Sequence, residues 1–306
     1  MRDAAPTTIY LKDYAPFGYL VDSVQLSFDL APNATRVTSR IAFRPNPEAR
    51  DRRFFLHGEG LTLVRAAIDG QAVTPEITDE GLTAEAPDAP FTWDCEVEID
   101  PGNNTALEGL YMSNGMYCTQ CEAEGFRKIT YYPDRPDVMS TFSVRINGDL
   151  PVLLSNGNPT GRGAGWAEWH DPWPKPAYLF ALVAGDLVAQ SDSFTTVSGK
   201  PVDLNLWVRP GDEHKCAFGM EALKKSMKWD EDTYGREYDL DVFNIVAVDD
   251  FNMGAMENKG LNIFNSSCVL ASPDTSTDMN FERIEAIIAH EYFHNWTGNR
   301  ITCRDW

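Results

Sequence analysis

Runs of alternating apolar and polar residues occupy much of the first part of this chain. Residues 24–30 place Val, Leu and Phe at every second position, and the pattern returns loosely over residues 37–43 and cleanly over residues 91–99. A period of two is that of a β-strand with one buried face. Turn-forming pairs such as Asp69-Gly70 lie between the runs. The pattern predicts an antiparallel β-sandwich or saddle-shaped domain over residues 1–189.

A different periodicity begins at about residue 190 and predicts a mixed α+β domain over residues 190–306. Apolar residues recur at helical spacing over residues 217–234, and residues 242–248 form an apolar run typical of a buried strand. The clearest helix is predicted over residues 278–296, with candidate N-caps before it and Gly298 after it.

The balance of charges excludes two classes of partner. The chain has 26 Lys+Arg against 46 Asp+Glu, a formal net charge of −20, whereas nucleic-acid-binding proteins need basic surfaces. An anionic membrane surface is excluded for the same reason, and no apolar run is long enough to span a membrane. Six cysteines in 306 residues are too few for a disulfide scaffold and indicate a reducing compartment. We therefore expect a cytoplasmic protein that binds small molecules or peptides.

The last predicted helix carries the motif His290-Glu291-Tyr292-Phe293-His294. Residues four apart share one face of a helix, so both imidazoles can reach one cation while Glu291 lies beside it. In zinc hydrolases a glutamate at this position accepts a proton from the attacking water. The alternative is a polar helix face with two solvated histidines.

A catalytic zinc ion requires a third protein ligand, which the sequence leaves open. Asp305 is the sole carboxylate after His294. Upstream, Asp249, Asp250 or Glu257 could be recruited, but no spacing selects one of them.

A second motif, Gly254-Ala255-Met256-Glu257-Asn258, follows the predicted strand at 242–248. By itself it is consistent with an ordinary glycine-containing turn. Gly254 would also allow a peptide backbone to approach along a sheet edge, and Glu257 could bind an ammonium group. The motif alone does not decide between these interpretations.

In this order and spacing, the two motifs resemble the M1 family of zinc aminopeptidases. The stretches 118–126, 226–230 and 294–300 look like the bacterial aminopeptidase N branch of that family. The resemblance implies that the second domain is the front part of a thermolysin-like catalytic domain. It also implies one Zn²⁺ per full-length chain and a reaction that removes the N-terminal residue of peptides with a free N-terminus.

The resemblance implies roles for nine residues. They are the zinc ligands His290 and His294, the general base Glu291, the ammonium-binding Glu257 and Glu122, the peptide-binding Gly254 and Ala255, and the side-chain-pocket residues Gln120 and Met253. Two carboxylates around one ammonium group would restrict cleavage to the first residue, because an internal residue has no charge to place there.

The resemblance further implies that the third zinc ligand, a glutamate, lies beyond Trp306. We therefore expect this chain to be an N-terminal portion of a longer enzyme, to bind zinc weakly or not at all, and to be inactive alone. The alternatives are a catalytically silent peptide-binding module and, within the family, hydrolysis of a lipid epoxide. The full-length enzyme is expected to be a monomer, and apolar surface near Trp296 and Trp306 predicts self-association of the shorter chain.

Two other features carry weaker expectations. Cys118 and Cys121 form a single C-x-x-C pair, which we interpret as structural thiols. Trp166, Trp169 and Trp173 alternate with prolines, and we interpret this run as a packed interdomain loop.

Overall fold

The computed structural model describes residue 8 and residues 10–306, so the first residues of the predicted β domain, 1–7 and 9, lie outside the described part. The strands of the first region are β1 (Tyr19–Asp29), β2 (Thr35–Pro45), β3 (Phe54–His57), β4 (Thr62–Ile68), β5 (Gln71–Ala72), β6 (Glu76–Thr78), β7 (Gly81–Ala84), β8 (Phe91–Ile99), β9 (Gly109–Ser113), β10 (Met116–Gln120), β11 (Ser140–Asn147), β12 (Val152–Ser155), β13 (Asn158–Gly163), β14 (Trp166–Lys175) and β15 (Leu182–Gly185). The elements that follow are β16 (Val188–Thr195), β17 (Pro201–Val208), α1 (Ala217–Tyr234), β18 (Val242–Val248), β19 (Ala255–Met256), β20 (Leu261–Asn265) and α2 (Asp278–Phe293).

The largest sheet has eight strands in the order β13-β14-β11-β1-β2-β8-β4-β5. Its central strands bury every second side chain, as the alternating sequence predicts, and β8 does so over its whole length. All pairs are antiparallel except β1 with β11, which run parallel. The predicted β-rich first domain is confirmed, with this one parallel pair as an addition.

Two smaller sheets complete the first region. One has the order β12-β15-β10-β9 and the other β3-β7-β6. Every residue of β10 and β15 is buried, so both faces of this sheet are covered. The two cysteines of the C-x-x-C pair lie in and just after β10 as buried free thiols, and burial raises the pKa of Cys118 to about 12. Their burial is consistent with the interpretation as structural thiols, which stays a prediction.

The tryptophan-rich run is a strand, so its interpretation as a loop is wrong. Trp166–Lys175 forms β14, which pairs with β11 on one side and β13 on the other. The ladder to β11 shifts register after Asp171 and resumes at Lys175, so the two prolines between them project into solvent where no ladder hydrogen bond is needed.

A five-stranded sheet, β16-β17-β18-β20-β19, forms the framework of the second region. β17, β18 and β20 are parallel, and α1 and α2 pack against each other beside them. β16 starts at Val188, so the predicted boundary at 189/190 lies within its first residues and remains a prediction. The predicted bounds of α1 and β18 are confirmed.

The second helix is shorter than predicted. It begins after Thr277, which forms a capping box with Asn280, and it ends at Phe293 instead of Trp296. His294 is therefore its C-cap, and a tight turn follows. In the described part of the chain, neither helix has the length and hydropathy needed to cross a membrane.

A buried ion pair on β14 leads to a prediction about stability. Lys175 Nζ lies 3.0 Å from a carboxylate oxygen of Asp171, and the side chains are 2% and 0% exposed. Burial lowers the pKa of Lys175, and the charge of Asp171 acts in the opposite direction. We expect Asp171→Asn to lower the free energy of unfolding by about 3–5 kcal/mol, because it leaves the lysine charge uncompensated.

Denaturant unfolding measures this change. The double variant Asp171→Leu/Lys175→Met removes both charges and should lose much less stability than the single variant. Equal losses in the two proteins would show that the charges are not coupled.

Candidate metal and peptide site

The end of α2 brings two imidazole rings together. Nε2 of His290 and Nε2 of His294 lie 3.0 Å apart, and the rings meet nearly edge to face. The apolar side of the same helix turns inward through Ile284, Ile288 and Tyr292. Burial of that side directs the two imidazoles together towards the edge of the core, where a ligand can reach them.

The turn after α2 orients His294. Its Nδ1 lies 2.7 Å from the carbonyl oxygen of Thr297. Since a carbonyl only accepts, Nδ1 carries the proton, and Nε2 keeps the lone pair that a metal ligand requires. Gly298 has a φ of +132°, and a Cβ added there would lie 2.8 Å from Nδ1 of His294. The glycine predicted only as a helix stop is thus required beside the imidazole.

Three carboxylates share the space next to these imidazoles. Glu291 is 6% exposed, and its pKa is raised to about 8 by burial first and by the charges of Glu257 and Glu122 second. Burial and the charge of Glu257 also raise the pKa of Glu122, and His294 acts in the opposite direction. Such a group of like charges is stabilised by a cation.

The donor set fits a zinc ion. Glu257, Glu291 and His294 each offer one ligand atom within 4.8 Å of one another, and His290 lies outside this group but has its Nε2 3.0 Å from that of His294. Imidazole nitrogen and carboxylate oxygen are zinc ligands in proteins. Of the upstream carboxylates that the sequence left open, Glu257 lies in this group. Asp249 instead pairs with Arg209, at 3.2 Å.

The segment with Gly254 and Ala255 lies at a sheet edge. β19 pairs with β20, and in the described part of the chain no strand pairs with its other side. A Cβ on Gly254 would meet only Cys268 Sγ, at 3.7 Å, so packing within the described residues does not require glycine here. The space in front of Gly254 is therefore open to another backbone.

The remaining predicted residues are Gln120 at the end of β10, Glu122 just after it, and Met253 just before β19. Gln120 Nε2 contacts Met253 Sδ, which joins the end of β10 to the segment before β19. Gln120 is buried, whereas Met253 is 39% exposed. Glu122 follows two residues later and interacts electrostatically with both Glu257 and Glu291. All nine residues with implied roles thus lie in one region.

Cavities adjoin the site on two sides. One of about 570 Å³ is lined by His290, His294 and the rings of Trp229, Phe293 and Trp296, among others. Another of about 690 Å³ is lined by Glu122 and three further glutamates, together with Lys128 and Trp306. His290 and His294 thus face one cavity and Glu122 faces the other.

Several residues of the site escaped the sequence-based reasoning. Asn299 hydrogen-bonds the backbone of both Glu257 and His294, and Lys259 contacts Asn295 beyond the end of α2. Tyr178, from the first region, donates to the carbonyl oxygen of Gly298. In the sequence, Lys259 and Asn299 lie close to the two motifs, and this proximity was the only sign that they belong to the site. Nothing in the sequence connects Tyr178 with the site.

Comparisons with known proteins agree with this geometry. The family model "Peptidase M1 N-terminal domain" matches residues 20–179, and "Peptidase family M1 domain" matches residues 218–306. Aminopeptidase N of Caulobacter vibrioides is 57% identical over the whole chain, and aminopeptidase N of Escherichia coli is 51% identical over 98% of it. In both cases the chain spans 36% of the relative's length.

The fold is also that of a solved relative. The structure of Legionella pneumophila aminopeptidase A in complex with aspartic acid superimposes with a TM-score of 0.90 and 36% identity, over 97% of this chain and 36% of the other. The resemblance inferred from the motifs is confirmed. A β-rich first domain joined to the start of a catalytic domain, with both family models matched in order, shows that the chain belongs to peptidase family M1.

Proposed function

We propose that this chain carries the zinc-binding helix and the amine-binding carboxylates of an aminopeptidase that removes the first residue of peptides. The observation that carries the proposal is the convergence of His290 and His294 with Glu257 and Glu122. Relatives named aminopeptidase N support it, although the chain spans 36% of their length. Their activity is therefore proposed here for the protein to which these residues contribute.

His290 and His294 would hold the zinc ion through Nε2. A zinc ion held there supplies Lewis-acid polarisation of the scissile carbonyl group. The hydrogen bond from His294 Nδ1 to Thr297 keeps the ring in the required tautomer.

Glu291 would act as general base. Its carboxylate lies one residue from His290, buried among the other two carboxylates, and would accept the proton of the attacking water and pass it to the leaving amine. A nearby cation favours the ionised carboxylate that this role requires.

Glu257 and Glu122 would bind the free α-ammonium group of the substrate. Two carboxylates at this place form charge-assisted hydrogen bonds with a primary ammonium, which acylation of the amine abolishes. The open edge of β19 would receive the peptide backbone at Gly254 and Ala255, and Gln120 with Met253 would contact the first side chain.

The alternative is a peptide-binding module without turnover. It shares the carboxylates and the open edge of β19 but requires no zinc. Zinc content and hydrolysis of an aminoacyl amide separate the two functions.

Two further expectations stay predictions. One is a cytoplasmic location, which is consistent with six free cysteines. The other is self-association through the surface near Trp296 and Trp306, of which Trp306 is 42% exposed.

A first prediction concerns zinc affinity. Loss of an outer-shell partner alone costs about 10–100-fold in metal affinity, so we expect His290→Ala or His294→Ala to weaken Zn²⁺ binding by at least about 100-fold. Competition with a chromophoric chelator measures the affinity in the full-length enzyme, because the shorter chain is expected to bind zinc weakly. His170→Ala on β14 is the control and should bind zinc as the wild type does. Unchanged affinity in the two α2 variants would exclude the proposed ligands.

A second prediction concerns the base. The zinc-loaded full-length enzyme is expected to release 4-nitroaniline from alanine 4-nitroanilide, and Glu291→Gln to lower its kcat by about 10²–10⁴ because the proton acceptor is lost. Zinc content should be unchanged in this variant. A zinc-loaded wild type that binds the amide without hydrolysing it would favour the silent module.

A third prediction concerns the ammonium group. Glu257→Gln keeps the size of the side chain but removes its charge, and should weaken binding of alanine amide by about 1.5–3 kcal/mol. Calorimetric titration measures this, with N-acetylalanine amide as the ligand control, since it has no charge to lose. An equal loss for both ligands would argue against a role in amine recognition.

A further inference from the structure

One buried amide joins the two halves of the proposed site. Nδ2 of Asn299 donates to the carbonyl oxygens of Glu257 and His294, each at 3.0 Å. Because a carbonyl only accepts, both hydrogens of the NH₂ group are used and the orientation of the amide is fixed. The two carbonyl oxygens cannot separate further than these two bonds allow.

The turn that carries Asn299 is held firmly. The backbone N–H of Asn299 also donates to the His294 carbonyl, at 2.9 Å, and the N–H of Gly298 donates to Ile301, at 2.7 Å. The Tyr178 hydroxyl donates to the carbonyl oxygen of Gly298, at 3.2 Å. The side-chain amide of Asn299 therefore projects from a hydrogen-bonded turn, and Tyr178 holds this turn against the first region.

Lys259 makes a second link in the same direction. Its Nζ lies 3.1 Å from Oδ1 of Asn295 and 2.6 Å from Oδ1 of Asp239. Asn295 in turn donates to the carbonyl oxygen of Tyr292, at 2.6 Å. Two separate contacts, Asn299 with Glu257 and Lys259 with Asn295, thus connect the residues after β19 with those that follow α2.

The first region anchors both links. The guanidinium of Arg300 pairs with Asp239 and lies 3.5 Å from the ring centroid of Trp173 on β14. Asn156 donates to the carbonyl oxygen of Lys259, at 3.0 Å. Movement of Glu257 relative to His294 would therefore break contacts on more than one side.

We propose that Asn299 is a positioning residue that sets the separation between the Glu257 carboxylate and the His294 imidazole. Metal binding at the histidines and ammonium binding at Glu257 are thereby coupled. Without the amide, the His294 carbonyl keeps the backbone N–H of Asn299 as a donor, whereas the Glu257 carbonyl loses the donor that ties it to the turn and can replace it with water only if the segments part. The identity of the two ligands rests on the proposed function, whereas the mechanical link does not.

The test, carried out in the full-length enzyme, replaces the amide by a side chain of similar size without donors, Asn299→Leu, with Asn299→Ala as a second variant in case leucine disturbs folding. Asn205→Leu is the matched control, because Asn205 is a half-buried asparagine on β17 that hydrogen-bonds Asn244 instead. Hydrogen exchange of the metal-free proteins is followed by mass spectrometry in peptides covering 254–262 and 290–301.

We expect exchange to accelerate in both segments by about tenfold, the equivalent of one lost buried hydrogen bond, and to stay unchanged in the control. Zn²⁺ affinity is expected to fall by about 10–100-fold, as for other residues that orient metal ligands. The visible spectrum of the Co²⁺-substituted protein should shift, and binding of alanine amide to the zinc-loaded protein should weaken. A residue that only stabilised the fold would lower Tm without changing the cobalt spectrum.

Two results would overturn the proposal. Faster exchange confined to residues 290–301 would mean that Asn299 serves only its own turn. Faster exchange in both segments with an unchanged cobalt spectrum and zinc affinity would mean that the separation between Glu257 and His294 does not affect metal binding. If the wild-type full-length enzyme binds neither zinc nor alanine amide, the proposed function fails, and the positioning role with it, while the exchange data still decide whether the link exists.

Discussion

The carboxylates of Glu122, Glu257 and Glu291 crowd into one half-buried space, and their mutual repulsion is the constraint on which the site depends. Burial first, and the charges of Glu257 and Glu122 second, raise the pKa of Glu291 to about 8, so keeping all three carboxylates ionised without a cation is unfavourable. Lys259 and Arg300 lie in the same region but pair with Asp239. The charge that would relieve the repulsion is thus left for ligands, a metal ion at the histidines and an ammonium group between the glutamates.

Such an arrangement persists only if the surrounding structure holds it rigidly. β18 provides that support, because both of its faces are buried. Val246 and Val248 pack into the core of the first region, whereas Phe243 and Ile245 pack with α1 and α2. The five-stranded sheet therefore contributes one face to each of the two hydrophobic cores. This packing fixes the position of β19, at the edge of the sheet, relative to both β10 and α2.

Local patterns predicted much of this structure. The bounds of α1 and β18 follow from the spacing of apolar residues, and the strands with clean alternation appear where expected. The end of α2 was misplaced because helical periodicity continues to Trp296, while the turn that follows Phe293 is held in part by Tyr178 and Glu257, far away in the chain. β14 was mistaken for a loop because its prolines lie at a register shift that only the pairing with β11 reveals.

By itself the sequence determined which residues carry the chemistry, since histidines four apart on a helix meet by local geometry alone. It also determined that a glutamate lies beside them and that a glycine precedes a second glutamate. Only the tertiary structure decided that Glu122 meets Glu257, that Thr297 sets the tautomer of His294, and that Asn299 joins the two motifs. The reason is physical: spacing along one helix is set by its hydrogen bonds, whereas distances between separate segments are set by the packing of the cores between them.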